Sequence, residues 1–168
     1  MPRNEEETTA NGDHLVSYDL SAKVAEKVRL KDIRILSVDA TWDPAEVEFP
    51  LSVNYTVSTE AMTQEEGFRI VVQFGMAARG TEETSGGEVK VGAAFELQYE
   101  HPDAHELTED DIESFGAVNG VYNAWPYWRE FLQNMTSRMG LPALIAPVFR
   151  LADRLQENSN AVDEDTNL

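Results

Sequence analysis

Strict alternation of apolar and polar residues over three successive segments limits the fold more than any other feature of this sequence. The odd-numbered positions are apolar in residues 47–57, the even-numbered ones in residues 68–78, and the odd-numbered ones again in residues 88–100. A period of two places one class of side chain on each face of a β-strand. Because turn-forming residues precede the second and third segments, the pattern predicts an antiparallel sheet with one buried face and one wet face.

A further strand is predicted before these three, over residues 30–42. Ile33 and Ile35 lie on one face of this segment, and the apolar pattern then slips by one position, so that Leu36 begins a new apolar series that ends at Trp42. A β-bulge inserts one extra residue and shifts the alternation in this way. The slip therefore predicts a bulge near Leu36.

Beyond the strands, the period changes to that of a helix. The apolar residues recur at intervals of three and four: Val118, Val121, Trp125, Trp128, Leu132, Met135 and Met139. Thr108 and Asp111 have the spacing of a capping box, which predicts a helix start there. Gly120 and Pro126 weaken the first half of this long helix, and its end is expected near Gly140.

Two shorter helices are predicted over residues 15–28 and 148–155. The fold class is therefore α+β: a four-stranded antiparallel sheet followed by a long helix and a short helix (β4α2), with the helices on one face of the sheet. We expect residues 1–14 to be a disordered arm, residues 15–155 to form one domain, and residues 156–168 to be an acidic disordered tail.

Charge and cysteine content narrow the function and the location. The net charge is −18, which repels the phosphates of nucleic acids and anionic lipid surfaces, although it also fits simple solubility or a salt-adapted host. The chain has no cysteine, which is typical of a protein in a reducing cytoplasm. Its first residues are polar and acidic, unlike a secretory signal peptide, and no apolar run is long enough to insert into a membrane.

No arrangement of residues predicts catalysis or a cofactor. His101 and His105 stand close to Asp103 and Glu106, but Pro102 places them in a loop, and no sulfur ligand accompanies them. A solvated loop is the preferred interpretation of this cluster over a metal site. Nothing marks a nucleophile with its base or a pair of acid–base carboxylates, so the sequence favours a protein that is not an enzyme.

Two features favour binding of other polypeptides. The connection after Trp42 contains Val47 and Phe49, and an apolar loop either packs on its own core or meets a partner. The long helix also carries aromatic residues, including Tyr122 and Phe131, outside its main stripe. A helix that is apolar on more than one face is either unusually well packed in one core or buried by self-association.

Four short motifs near the end of the chain resemble those of a known family. They are Trp125-Pro-Tyr-Trp-Arg-Glu130, Ser137-Arg138, Leu141-Pro-Ala-Leu144 and Ala146-Pro147-Val148. Their order is similar to the long-helix signature of the SecB family of protein-export chaperones, and the resemblance covers residues 28–155. Four strands followed by helices is also the order of elements in that family.

The resemblance implies a homotetramer, a dimer of dimers with the long helices between two sheets. The residues expected at that oligomer interface are Tyr122, Trp125, Trp128 and Phe131. The resemblance also implies a groove that binds unfolded or precursor polypeptides without catalysis. The residues expected to line it are Trp42, Val47, Phe49, Leu141, Leu144 and Ile145.

The resemblance to this family leaves two roles open, which differ in the partner. Members deliver clients to the translocase motor SecA through acidic residues of the open sheet face, and Asp32 and Glu88 match those positions. Leu36 and the acidic tail depart from the export pattern. The alternative is a solitary SecB-like chaperone that protects the antitoxin of a toxin–antitoxin pair. A second alternative belongs to a different class of function: a sheet wrapped on a long helix could bind a small apolar ligand.

Overall fold

The computed structural model describes residues 17–43, 50–80 and 87–149. In chain order the elements are α1 (Tyr18–Ala25), β1 (Arg29–Thr41), β2 (Leu51–Gln64), β3 (Gly67–Gly80), β4 (Glu88–Glu100), a 3-10 turn (Ala104–Glu106), α2 (Glu109–Phe115), a π-helical segment (Gly116–Gly120) and α3 (Val121–Arg138). The last three are continuous and together form the long helix. The predicted α+β fold, with four antiparallel strands before a long helix, is confirmed.

The four strands form one antiparallel sheet in the order β1-β4-β3-β2, so β1 and β2 are its edges. The even-numbered residues of β3 and the odd-numbered residues of β4 are buried, as their alternation predicts. The predicted end of β2 at residue 57 was wrong, because pairing with β3 continues to Gln64 opposite Gly67. The apolar alternation is weaker in this part of β2, because the inner-face position 59 is occupied by a threonine rather than by a large apolar residue.

Strand β1 is only partly covered by the other described residues. A register shift between Ile35 and Ser37 confirms the predicted bulge at Leu36, and a second shift occurs between Leu30 and Asp32. The long helix packs mainly on β2, β3 and β4. In consequence Ile35 and Val38, which face the helix side of the sheet, remain 49% and 54% exposed.

Within the part of the chain that the structure describes, three ion clusters cross the outer face of the sheet. In each of them one glutamate of β4 binds two cations: Glu88 with Arg79 and Lys90, Glu96 with Arg34 and Arg69, and Glu100 with Arg29 and Lys31. Glu96 is only 1% exposed, so the expectation of a uniformly wet outer face was wrong at this point. Burial opposes ionisation of Glu96, but hydrogen bonds from Arg34 and Gln98 and the nearby positive charges outweigh it and lower its pKa.

The long helix begins and ends where the sequence predicts. The main-chain N–H of Thr108 donates to Asp111 Oδ2 (2.9 Å), and the N–H of Asp111 donates to Thr108 Oγ1 (3.2 Å), which confirms the capping box. The irregular first half takes the form of the π-helical segment rather than a break at Pro126, which lies inside α3. Gly140 follows the helix with a φ of 79°, a conformation that favours glycine.

Polar contacts hold α1 against the first turns of the long helix. Lys23 Nζ binds Asp111 Oδ2 at 2.8 Å, and Asn119 Nδ2 donates to Ser21 Oγ at 2.8 Å. Val24 is fully buried beneath these contacts. The helix is shorter than the predicted residues 15–28.

The first two residues of the predicted C-terminal helix are not helical in the structure. They are Val148 and Phe149, and the rest of residues 148–155 lies outside the described residues. The predicted arm (1–14) and tail (156–168) also lie outside them.

Candidate functional site

The chain reverses after the long helix and runs back along α3. We call residues 141–149 the return segment. Its first turn is held by Thr136, a fully buried residue whose main-chain oxygen accepts from Leu141 N (3.0 Å) and whose hydroxyl oxygen accepts from Leu144 N (3.1 Å). The left-handed conformation of Gly140 and the bond from Leu141 to Thr136 form a Schellman-type helix end.

Side chains of α3 hold the rest of the return segment. Arg129 Nε donates to the carbonyl of Ala146, and Trp125 Nε1 donates to the carbonyl of Pro147, both at 3.0 Å. The Trp125 ring also contacts the ring of Phe149, with centroids 5.3 Å apart. Two residues of the Trp125–Glu130 motif therefore fix the course of the segment that follows the helix.

An apolar groove lies between the edge strand β2 and the start of the return segment. Its volume is about 460 Å³. It is lined by Pro50, Leu51, Val53, Ala78, Val89, Leu141, Pro142, Ala143 and Leu144. None of these side chains carries a charge, so the groove can take apolar side chains of a partner, and its described lining offers no acid, base or metal ligand.

The structure brings together some of the residues predicted to bind polypeptide. Leu141 and Leu144 line the groove, whereas Ile145 is 62% exposed and lies outside its lining. Trp42 follows β1 at the same end of the sheet as the groove. Its Cζ3 atom lies 3.9 Å from the position that a Cβ on Gly140 would occupy. Val47 and Phe49 lie outside the described residues. The sequence pattern did not indicate that Val53, Ala78 and Val89 form the floor, because only the strand order brings them beside the return segment.

Asp32 and Glu88 share the outer face of the sheet but lie far apart. Asp32 is exposed and stands opposite Gln98 of β4, which places it about 30 Å from Glu88 along that strand. Glu88 is half-buried, and hydrogen bonds from Lys90 and Arg79 lower its pKa. The two carboxylates therefore do not form one acidic patch, and the charge of Glu88 is balanced within the chain.

The residues expected at an oligomer interface differ in exposure. Tyr122 is 55% exposed, Trp125 and Phe131 are partly buried, and Trp128 is 1% exposed. Trp128 stacks on Phe74, with ring centroids 5.4 Å apart, and is thus part of the core of a single chain. Tyr127 of the same helix is also exposed, at 48%.

A second depression, of about 640 Å³, lies at the opposite end of the sheet and is lined mainly by charged residues. His101 borders it and is buried, so the expectation of a solvated loop was wrong for this histidine, although His105 is exposed. His101 Nδ1 accepts a hydrogen bond from Asp103 N (3.1 Å). Among the described residues no group of three histidine or carboxylate side chains is placed to hold a metal ion.

None of the helices in the described ranges has both the length and the apolar character needed to cross a membrane.

Comparison with known proteins supports the resemblance found in the sequence. No family model matches the chain. The SecB-like chaperone Rv1957 of Mycobacterium tuberculosis (strain ATCC 25618 / H37Rv) is 21% identical over 153 residues, which cover 80% of this chain and 84% of that protein. The SecB-like chaperone MT2006 of strain CDC 1551 / Oshkosh has the same identity and coverage.

A solved structure extends this similarity to the fold. Rv1957 in complex with a ChAD peptide from the Rv1956 HigA1 antitoxin matches with a TM-score of 0.68 and 17% sequence identity. The match covers 79% of this chain and 96% of that one. The fold described above is thus SecB-like.

Proposed function

We propose that this protein is a molecular chaperone that holds non-native polypeptides in an apolar groove, without catalysis. The observation that carries the proposal is the uncharged groove between β2 and the return segment. Burial of one leucine-sized side chain is worth about 1.5–3 kcal/mol, and it needs no particular sequence in the client. The sequence similarity to SecB-like chaperones and the SecB-like fold support this role.

Exposed apolar residues support self-association, and we propose that the chain forms a homotetramer. Leu30, Ile35, Leu36 and Val38 of β1 are each 40% to 54% exposed, and Tyr122 and Tyr127 of the long helix are similarly open. Large apolar side chains left exposed in this number are typical of protein–protein contacts. Burial of both surfaces in an assembly would leave the groove at the other edge of the sheet accessible.

Among partners, an antitoxin segment has more support than the motor SecA. The structural neighbour Rv1957 binds a peptide of an antitoxin. Delivery to SecA would use Asp32 and Glu88. Asp32 of β1 lies opposite Gln98, about 30 Å from Glu88 in the direction of the strands, and Glu88 is held by Arg79 and Lys90. We therefore place an antitoxin-like client first and export delivery second.

A small apolar ligand is the alternative from another class. The groove volume of about 460 Å³ lies within the range of small-molecule sites. This alternative differs in its observables, because a ligand-binding module would leave the aggregation of a refolding protein unchanged and would not need the tetramer.

The test combines assembly, holding activity and a matched pair of variants. Light scattering should give a mass four times the 18.8 kDa of one chain, and the protein should suppress aggregation of a refolding client. Leu144→Ser should weaken client binding about tenfold, because it removes one apolar contact of the groove. Val148→Ser, on an exposed residue of the same segment, is the control and should change affinity less than twofold. A monomer that binds lipid and leaves aggregation unchanged would contradict the proposal.

A further inference from the structure

Met62 differs in its surroundings from the other described methionines. Met76 is 2% exposed, and Met135 and Met139 pack against the hydrophobic core. Met62 instead lies on the outer face of the sheet, in β2 and opposite Arg69 of β3, and it is partly exposed. A small oxidant in solution can therefore reach the side chain of Met62 without any opening of the core.

The guanidinium group of Arg69 faces the sulfur of this methionine. Arg69 Nη1 binds Glu96 Oε2 at 3.0 Å, and Arg69 Nη2 donates to Met62 Sδ. Arg69 Nε is buried and has no hydrogen-bond partner within the described residues. Nε and Nη2 lie on one edge of the planar guanidinium group, so this edge offers two donors where Met62 supplies a thioether, which is a weak acceptor.

A sulfoxide oxygen would be a better acceptor for this edge of the guanidinium group. The oxygen of methionine sulfoxide is polar and can accept from Nε and Nη2 together. Both side chains are long and partly exposed, so small changes in their torsion angles make room for the oxygen. Oxidation of a methionine usually disrupts packing. At this position it would replace a weak contact by hydrogen bonds from a charged donor, which are stronger.

We propose that Met62 is a site of reversible oxidation, where Arg69 binds the sulfoxide oxygen and keeps β2 paired with β3. The oxidant is hydrogen peroxide. The sulfur lone pair attacks one peroxide oxygen, and an S–O bond forms as the O–O bond breaks. The other oxygen takes up the proton of the transferred oxygen and leaves as water, so that sulfur loses two electrons and the peroxide gains them.

A methionine sulfoxide reductase with its thiol reductant reverses this step, because two electrons and two protons restore the thioether and release water. The site lies near the turn between β2 and β3, whereas the apolar groove lies at the Leu51 end of β2. The inference is therefore independent of the proposed function.

Peroxide treatment of the full chain tests the proposal. Wild type and Met62→Leu are treated alike, so that oxidation of the other methionines is common to both. Peptide mass spectrometry should show oxidation of Met62 at least about tenfold faster than that of buried Met76. Treatment should lower the urea midpoint of the wild type no more than that of Met62→Leu. A larger loss in the wild type, or equal oxidation rates at Met62 and Met76, would overturn the inference.

Substitution by glutamine tests the acceptor without an oxidant. Met62→Gln presents an amide oxygen to Arg69, whereas Met62→Leu keeps the size and offers no acceptor. Met62→Gln should have the higher urea midpoint, and this advantage should disappear with Arg69→Lys, which keeps the charge beside Glu96 but lacks the two-donor edge. At Met135 the same two substitutions should give the opposite order, because that side chain packs against the core. If Arg69→Lys does not fold, a lower midpoint for Met62→Gln than for Met62→Leu contradicts the proposal without it.

The configuration at sulfur supplies a third readout. Only one of the two sulfoxide epimers directs its oxygen toward Arg69, and each epimer is reduced by a different class of reductase. After unfolding and digestion of the oxidised protein, one class should reduce most of the Met62 sulfoxide and the other class little of it. Equal reduction by the two classes would show that Arg69 does not bind the oxygen.

Discussion

Two glycines of the sheet differ in the space available for a side chain. A Cβ on Gly67 would stand 2.0 Å from the carbonyl oxygen of Tyr99, whereas a Cβ on Gly92 would meet nothing closer than 3.5 Å. Gly67 begins β3 and Gly92 lies inside β4, and the sequence gives no measure of the space beside either of them. Only the position of the neighbouring main chain separates the two.

We therefore predict opposite results for two alanine substitutions. Gly67→Ala should lower the free energy of unfolding by about 2 kcal/mol, because β4 must move at Tyr99, a residue packed against Phe68. Gly92→Ala should leave stability unchanged or raise it by about 0.5 kcal/mol, since glycine is costly inside a strand. Urea unfolding of both variants checks the prediction. Equal effects would show that the contact at Tyr99 relaxes freely.

At the scale of elements, the regular alternation made the sheet and the long helix predictable. Residues 68–78 and 88–100 became strands with the predicted buried faces, because burial on one face requires a period of two. The strand order and the exposure of β1 were not predictable, since alternation does not tell which strands are neighbours. The return segment was also beyond prediction, because its course depends on side-chain donors of α3.

Thr136 should control the return segment through its hydroxyl group. Its Oγ1 donates to the carbonyl of Leu132 (2.9 Å) and accepts from Leu144 N (3.1 Å). Thr136→Val keeps the shape and removes both bonds, so we expect a loss of about 1–2 kcal/mol in the free energy of unfolding. Hydrogen exchange under native conditions should become faster at the Leu144 amide than at the Leu141 amide, whose acceptor is the main-chain oxygen of Thr136.

An exposed serine on the same helical turn gives the control for this prediction. Ser137→Ala should leave the exchange of both amides unchanged and alter stability by less than about 0.5 kcal/mol. If Thr136→Val and Ser137→Ala behaved alike, the hydroxyl group would have no role in holding the segment.

For the whole molecule, two electrostatic effects oppose each other as the pH falls. The net charge of −18 at pH 7 disfavours the compact state, and this repulsion decreases as carboxylates take up protons. The ion clusters of the outer face act in the other direction. Hydrogen bonds from Lys31 and Arg29 lower the pKa of Glu100 to about 2, and the pKa values of Glu88 and Glu96 are also lowered.

The sign of the cluster contribution follows from these shifts. The folded pKa values lie below the unfolded value of about 4.3, so the clusters stabilise the protein above that value and lose their effect as the pH falls toward about 2. Relief of repulsion acts at higher pH, as the net charge falls toward zero near the isoelectric point of about 4.3. We therefore expect maximal stability between about pH 4.5 and 6, below neutrality.

Unfolding by urea at fixed protein concentration, from pH 7 to pH 3, measures this curve. Glu100→Gln should reduce the fall in stability below about pH 4, because the substituted side chain no longer titrates. Added salt should stabilise the protein at pH 7, where repulsion dominates, and should do less near the isoelectric point. Stability that declined steadily from pH 7 downward, with no gain from salt, would mean that the ion clusters outweigh the net charge throughout.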